Sequence, residues 1–359
     1  MKKIILSIIF FAVLGTFSGF CEESGGKEEA KEKTPPFLFP AFMYSSDTGF
    51  GGGVVGIHSY HNPGSNSSHI QFAAIYTQKK QFTFSTYWQH LFHNNKSRIV
   101  NQFTYSKFPS EFFGLGNKTS NESSEIFTPE FVNIKLSYER SIFKQLKIKS
   151  QFLIRNQALV NYERGGIIKS PFVPWSSGRL DAGPGIGVLW DSRDNYNATK
   201  HGTLAQLEYL GLMFQDDGGS LNSVNLDVRH FINPFPEVVF GSMLWMVDSG
   251  GDIPFYLLSA LGGGDRLRGY ENDRFFGKKL ILIQQDIRFP IWGPFGGIVF
   301  AASGRVSDKV NELFSGQYHT GYGTGVRYFI DKKENMLVRF DVAFGSDTNS
   351  SYITFSEAF

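Results

Sequence analysis

Apolar and polar residues alternate along most of this chain with a period of two. In 81–90, Phe82, Phe84, Thr86 and Trp88 fall on one face, and Gln81, Thr83, Ser85 and Gln89 on the other. The same pattern sets Val132, Ile134, Leu136 and Tyr138 against Asn133, Lys135, Ser137 and Glu139. It recurs with Val224, Leu226 and Val228 against Asn225, Asp227 and Arg229, and with Val338, Phe340 and Val342 against Arg339 and Asp341. Period two is the signature of a strand with two different faces. About sixteen such segments are predicted: 37–46, 50–60, 68–79, 81–93, 96–108, 130–142, 145–160, 180–192, 201–214, 221–233, 236–248, 279–290, 295–304, 318–330, 335–345 and 351–359. No amphipathic helical pattern of useful length follows Phe37.

Strand length separates a soluble sandwich from a membrane barrel. Soluble strands average ~5–6 residues, and these run to roughly ten. An even number of long strands predicts an all-β fold, a transmembrane antiparallel β-barrel over 37–359. Closing the sheet would satisfy every backbone group in lipid. Tight turns are expected at Asp47-Thr48-Gly49, Gln78-Lys79-Lys80 and Asp331-Lys332-Lys333, with long connections at 109–129, 161–179 and 249–278.

Composition agrees. Aromatic residues make up 16% of the 359, charged residues only 19%, and the mean hydropathy is −0.18. Such a chain is rich in rings without being uniformly apolar, as one with a lipid face and a wet face should be. A net charge of +2 offers no electrostatic footprint for nucleic acid. Lys2 and Lys3, the apolar run Ile4 to Phe17 and the small Ser18 and Gly19 form an export signal over 1–21. No later run reaches the ~18 apolar residues of a spanning helix. The single cysteine, Cys21, excludes a disulfide within the chain. Ordinary cleavage near Cys21 is the favoured reading because Phe20 is bulky for a lipobox; a lipidated Cys21 is the alternative. The charged, Gly- and Pro-containing stretch 22–36 is expected to be a disordered periplasmic tether.

Enzyme and cofactor signatures are weak. Gly262-Gly263-Gly264 lacks the Lys-Ser/Thr of a phosphate loop and the helix that should follow. Gly183, Gly185 and Gly187 lie at period two inside a strand, so they are expected to clear one strand face for the close approach of an in-folded loop. The eight histidines show no metal spacing, and no serine lies in Gly-x-Ser-x-Gly. No catalytic residue, cofactor or metal is assigned.

The stretch 262–273, GGGDRLRGYEND, resembles the signature loop of the Omp85 superfamily, the surface antigen D15 or outer-membrane assembly family. Its core is Arg268-Gly269-Tyr270, preceded by Gly263, Gly264, Asp265 and Arg266. Three other stretches are similar to family segments: 183–195, with Asp191, Arg193 and Asp194; Phe112 to Asn117; and Gln285 to Phe300. The resemblance spans essentially 37–359. It implies a sixteen-stranded barrel with the loop folded inside and its arginine on acidic wall residues. Two departures stand out. Only 22–36 precedes the expected barrel, too short for the POTRA modules typical of the family. The family's usual Phe-x-Asp reads Phe300-Ala301-Ala302 here.

A buried arginine is costly unless paired, and a carboxylate is its best partner. Leu282, Gln284, Asp286 and Arg288 share the polar face of the strand after the loop. Arg268 is therefore expected to pair with Asp286, with Glu208 or Asp341 as a second partner. By resemblance, the protein is a non-enzymatic barrel in the outer membrane of a diderm bacterium. It would assist insertion or translocation of protein or lipid. Its partners would be outer-membrane lipid and a periplasmic or outer-membrane protein that delivers clients, and its weak seam would lie between 37–46 and 351–359, near Phe355 and Phe359. The alternative is a narrow pore, or a barrel that displays its surface loops.

Overall fold

The computed structural model describes residues 8–11, 36–45, 49–120, 124–196, 198–214, 219–332, 336–346 and 348–359. The expected signal lies outside them except for Ile8–Phe11. Cys21 and all of the tether but Pro36 also lie outside.

The first half of the wall is β2 (Phe37–Ser45), β3 (Gly49–His61), β4 (Ser67–Thr77), β5 (Phe82–Phe92), β6 (Ser97–Lys107), β8 (Glu125–Phe143), β9 (Leu146–Asn161) and β10 (Leu180–Asp191). The second half is β11 (Gly202–Phe214), β12 (Ser220–Phe235), β13 (Val238–Gly251), β16 (Lys279–Trp292), β17 (Phe295–Ser307), β18 (His319–Asp331), β19 (Met336–Phe344) and β20 (Asn349–Phe355). These are the sixteen strands expected from the alternation. Every consecutive wall pair from β2 to β20 is antiparallel. The other edge of β2 carries β1 (Ile8–Phe11). Two short hairpin pieces complete the strands. β7 (Ser110–Phe112) pairs with the start of β8, and β14 (Ser259–Leu261) pairs with β15 (Phe275–Gly277).

Alternation resolves into an inside and an outside. On β10, Asp181, Gly187, Leu189 and Asp191 are buried, whereas Ile186, Val188 and Trp190 are exposed apolar residues. On β19, Leu337, Arg339, Asp341 and Ala343 point inward, and Phe340 and Phe344 point outward. An apolar outside and a charged inside invert the soluble arrangement, as a lipid-facing barrel requires.

Both ends of the wall order, Phe37 and Phe355, lie at the rim of short turns, such as 144–145, 236–237 and 293–294. The opposite rim carries the long connections 113–124, 162–179, 252–278 and 308–318. The tight turn at Gln78–Lys80 is on that second rim, so loop length does not strictly sort the two ends.

The last strand stops earlier than its pattern suggests. Ser356 has a φ of +63°, and the chain then turns inward. Phe359 is buried, with its ring 5.9 Å from Phe231 of β12. It is not at the β20 edge where the seam expectation puts it. Glu357 explains the turn: it sits at an outward position of the alternation, and interior arginines pull it inside.

Candidate functional site: the loop inside the barrel

The connection between β13 and β16 folds into the barrel, and β14 and β15 clamp its two ends. Positive φ angles at Gly262 (+116°), Gly263 (+108°) and Gly269 (+109°) turn the segment between them. At Gly269 a side chain has no room, because an added Cβ would lie 2.7 Å from the Phe344 carbonyl carbon. The facing wall gives way in turn. An added Cβ at Gly321 of β18 would overlap the Arg268 carbonyl oxygen.

Polar contacts hold the loop along its length. Tyr352 of β20 accepts from the Gly269 N–H (3.1 Å) and donates to the Tyr270 carbonyl (2.6 Å). Tyr270 donates its hydroxyl to the Thr320 carbonyl (3.2 Å). The Gln284 side chain accepts from the Leu267 N–H and donates to the Asp265 carbonyl, both at 3.0 Å. Leu261, Leu267, Tyr270 and Phe275 join Leu280, Leu282, Ala302 and Val306 of the wall in one apolar cluster.

Arg268 is the centre of the charge arrangement and is 1% exposed. It donates from Nη2 to Asp286 Oδ1 (2.7 Å) and from Nη1 to Asp341 Oδ2 (2.9 Å). Its guanidinium lies 3.4 Å from the Phe300 ring centroid, so Phe300 adds a cation–π contact. Ala302, where the family has its acid, packs in the apolar cluster. Asp286 and Asp341 both come together on Arg268. Glu208 does not. It meets Lys149 of β9 at 2.5 Å, reaching over Gly187 of β10. Added Cβ atoms at Gly185 and Gly187 would press on Gln151 and Glu208. Those glycines therefore open space for side chains crossing β10, and the loop is admitted instead by Gly321 of β18 and by Gly345 after β19.

The pairing closes into a ring. Asp286 also faces Arg288 (3.4 Å), and Arg288 faces Glu357 (4.0 Å). Glu357 binds Arg327 (3.1 Å), and Arg327 returns to Asp341. Arg339 joins from the side, between Asp341 (3.4 Å) and Asp265 of the loop. Four arginines thus balance four carboxylates contributed by the loop, the wall and the terminal tail. Arg288 also donates to the Phe359 carbonyl at 2.9 Å. Sequence reasoning missed Glu357 and Arg327. Arg327 carries the inward period of β18, and Glu357 interrupts the apolar face of the last strand, but nothing local signals that the two meet.

The tail contact is pH-sensitive. Burial alone would raise the Glu357 carboxyl, but Arg288 and Arg327 beside it hold it down at about 2, from an ordinary 4.5. Its folded value lies below the unfolded one. Its stabilisation is therefore complete above about 4.5 and is lost as pH falls through about 2. Thermal melting of Glu357→Gln should fall below that of the parent at pH 7, and the gap should close towards pH 2. A gap independent of pH would show that the carboxylate charge does not matter.

Asp191, Arg193 and Asp194 lie apart from the loop, at the short-turn rim. Arg193 donates to Asp191 at 2.9 and 3.1 Å, and Asp194 accepts from the Lys200 and His201 N–H groups. The motif shapes the turn between β10 and β11. The stretch Phe112 to Asn117 covers the opposite rim. Phe112 packs on Phe255 and Phe276, and Asn117 accepts from the Val306 N–H (3.1 Å). Among the described residues, no group of three His, Cys, Asp or Glu could hold a metal.

No family model matches the chain, and no curated protein matches its sequence. Solved structures do match its fold. BamA from Haemophilus ducreyi lacking POTRA domains 1–3 aligns with a TM-score of 0.55 at 12% identity, over 89% of this chain and 70% of that one. CdiB from Acinetobacter baumannii aligns at 0.56 and 12%, over 90% and 59%. CdiB from Escherichia coli aligns at 0.58 and 11%, over 98% and 67%. With the long meander and the buried arginine loop, these matches show that the chain shares the β-barrel fold of BamA and CdiB.

Proposed function

We propose that this protein is an Omp85-type barrel of the outer membrane that assists insertion or translocation of protein or lipid without catalysing a covalent reaction. The observation that carries this reading is the arginine loop, seated inside the barrel by Arg268 on Asp286 and Asp341. A loop so placed closes the passage and braces the last strands. Asp341 and Tyr352 belong to β19 and β20, so the seat of the loop reaches the end of the wall order. The seam between β2 and β20 is the site proposed to open. Outer-membrane lipid and a client-delivering protein are the proposed partners.

Conductance in planar bilayers tests the plug. The parent should give small, fluctuating currents, and replacing 262–277 with a short glycine linker should raise them to large steps. A large, steady pore that the deletion barely changes would favour the plain-pore reading. Depletion in cells, followed by profiling of outer-membrane proteins and lipids, should lower the level of a client. Unchanged profiles would count against an assembly role.

A further inference from the structure

Most interior cations are matched. Arg98 faces Glu139, Lys149 faces Glu208, Arg193 faces Asp191 and Arg229 faces Asp227. Two cations without a carboxylate at ion-pair distance line one cavity of ≈ 520 Å³ between the loop and the wall. Lys135 of β8 has no carboxylate within ion-pair distance among the described residues, and neither has Arg266 of the loop. The Arg266 guanidinium lies 3.2 Å from the Trp245 ring centroid. Stacking occupies the face of a guanidinium and leaves its N–H edge available for an in-plane acceptor. Trp245 is itself held, donating its indole N–H to Asn225 Oδ1 at 2.7 Å.

The charge around the chamber does not balance. Of the charged groups that line it, Lys135 and Arg266 stand against Glu208 and Asp273, and Lys149 neutralises Glu208, leaving one positive charge in excess. Asp265 also lines it, but belongs to the neutral ring through Arg339. Unpaired charge inside a protein is expensive, and this excess is concentrated where there is room for a ligand. Gly262, Gly263 and Gly264 line the same cavity, so no side chain from that stretch fills it.

We infer that this chamber binds a phosphate group, with Lys135 and Arg266 as its two charged ligands. Arg266 presents a fork of donors, and Lys135 supplies a point charge from the opposite wall. Ser223 and Asn225 on β12 also line the chamber. The phosphate could be free or borne on a sugar, since the cavity exceeds the size of the bare ion. This site is independent of the assembly role.

Isothermal titration of the full chain in detergent micelles, at fixed ionic strength, tests it with two probes: inorganic phosphate and a hexose phosphate. Saturable binding of either supports the site, and the tighter probe tells free anion from sugar-borne group. Lys135→Gln and Arg266→Gln should each weaken binding roughly tenfold or more, whereas Lys135→Arg should keep it within a few-fold. Lys107→Gln, an exposed cation on another strand, should leave binding unchanged. Heat-dependent gel mobility reports whether each variant is folded. Absence of saturable binding of both probes to the parent chain would overturn the inference, as would equal weakening by Lys107→Gln.

Discussion

Arg268→Glu is expected to destabilise the barrel strongly. The substitution removes the cation shared by Asp286 and Asp341 and adds a third carboxylate to a site from which water is excluded. Removing one partner of a buried pair costs about 3–5 kcal/mol, and reversing its sign costs more. A domain has only about 5–15 kcal/mol to lose. The readout is heat-dependent mobility on gels: the compact folded form of the variant should be lost at a lower temperature than that of the parent. The ring makes a sharper version possible. Swapping charges with Arg268→Asp and Asp286→Arg should restore folding only in part, because the carboxylate placed at position 268 faces Asp341. Adding Asp341→Asn removes that repulsion and should improve recovery. A double swap no better than either single change would refute the pairing.

Gly269→Val should leave the wall intact but unseat the loop. A β-branched residue is disfavoured at a φ of +109°, and its Cβ would press on the Phe344 backbone. Gly321→Val acts from the other side, against the Arg268 carbonyl. Trypsin can report both, since Arg266, Arg268 and Arg274 are shielded while the loop is seated. Each ~1.4 kcal/mol lost from the seated form multiplies the open population tenfold, so cleavage should quicken by roughly tenfold or more. Heat-dependent mobility should persist. Loss of the folded band would mean that these glycines serve the wall rather than the loop, and unchanged cleavage of a folded variant would mean that they do not hold the loop in its seat.

The two variants probe different layers of one arrangement. Arg268 works through charge, and its carboxylates come from β16 and β19, on either side of β17 and β18. Gly269 and Gly321 work through space, letting two backbones meet. Glu357 links this site to the chain after β20, so movement of the terminal tail would disturb the partners of Arg268 through Arg327 and Arg288.

Alternation along the chain is sufficient to place the sixteen wall strands, because a strand's faces depend only on period two and its neighbours follow from short turns. It is also sufficient to aim Asp286 and Asp341 inward, and the cost of a bare arginine makes Asp286, on the strand after the loop, its expected first partner. Period two tells which face a residue takes, but not where around the barrel that residue stands. Glu208 and Asp341 both point inward; only the curvature and register of the sheet bring Asp341 to Arg268 and give Glu208 to Lys149. The same limit applies to the glycines. Runs at period two occur on β10 and β18, and the path of the loop decides that β18 receives it. Glu357 on the outward period marks a break in the last strand, but not where the chain goes, because interior arginines from distant strands hold the inward turn in place. Contacts between residues far apart in sequence exist only once the wall has curved, and those contacts complete the ring around Arg268.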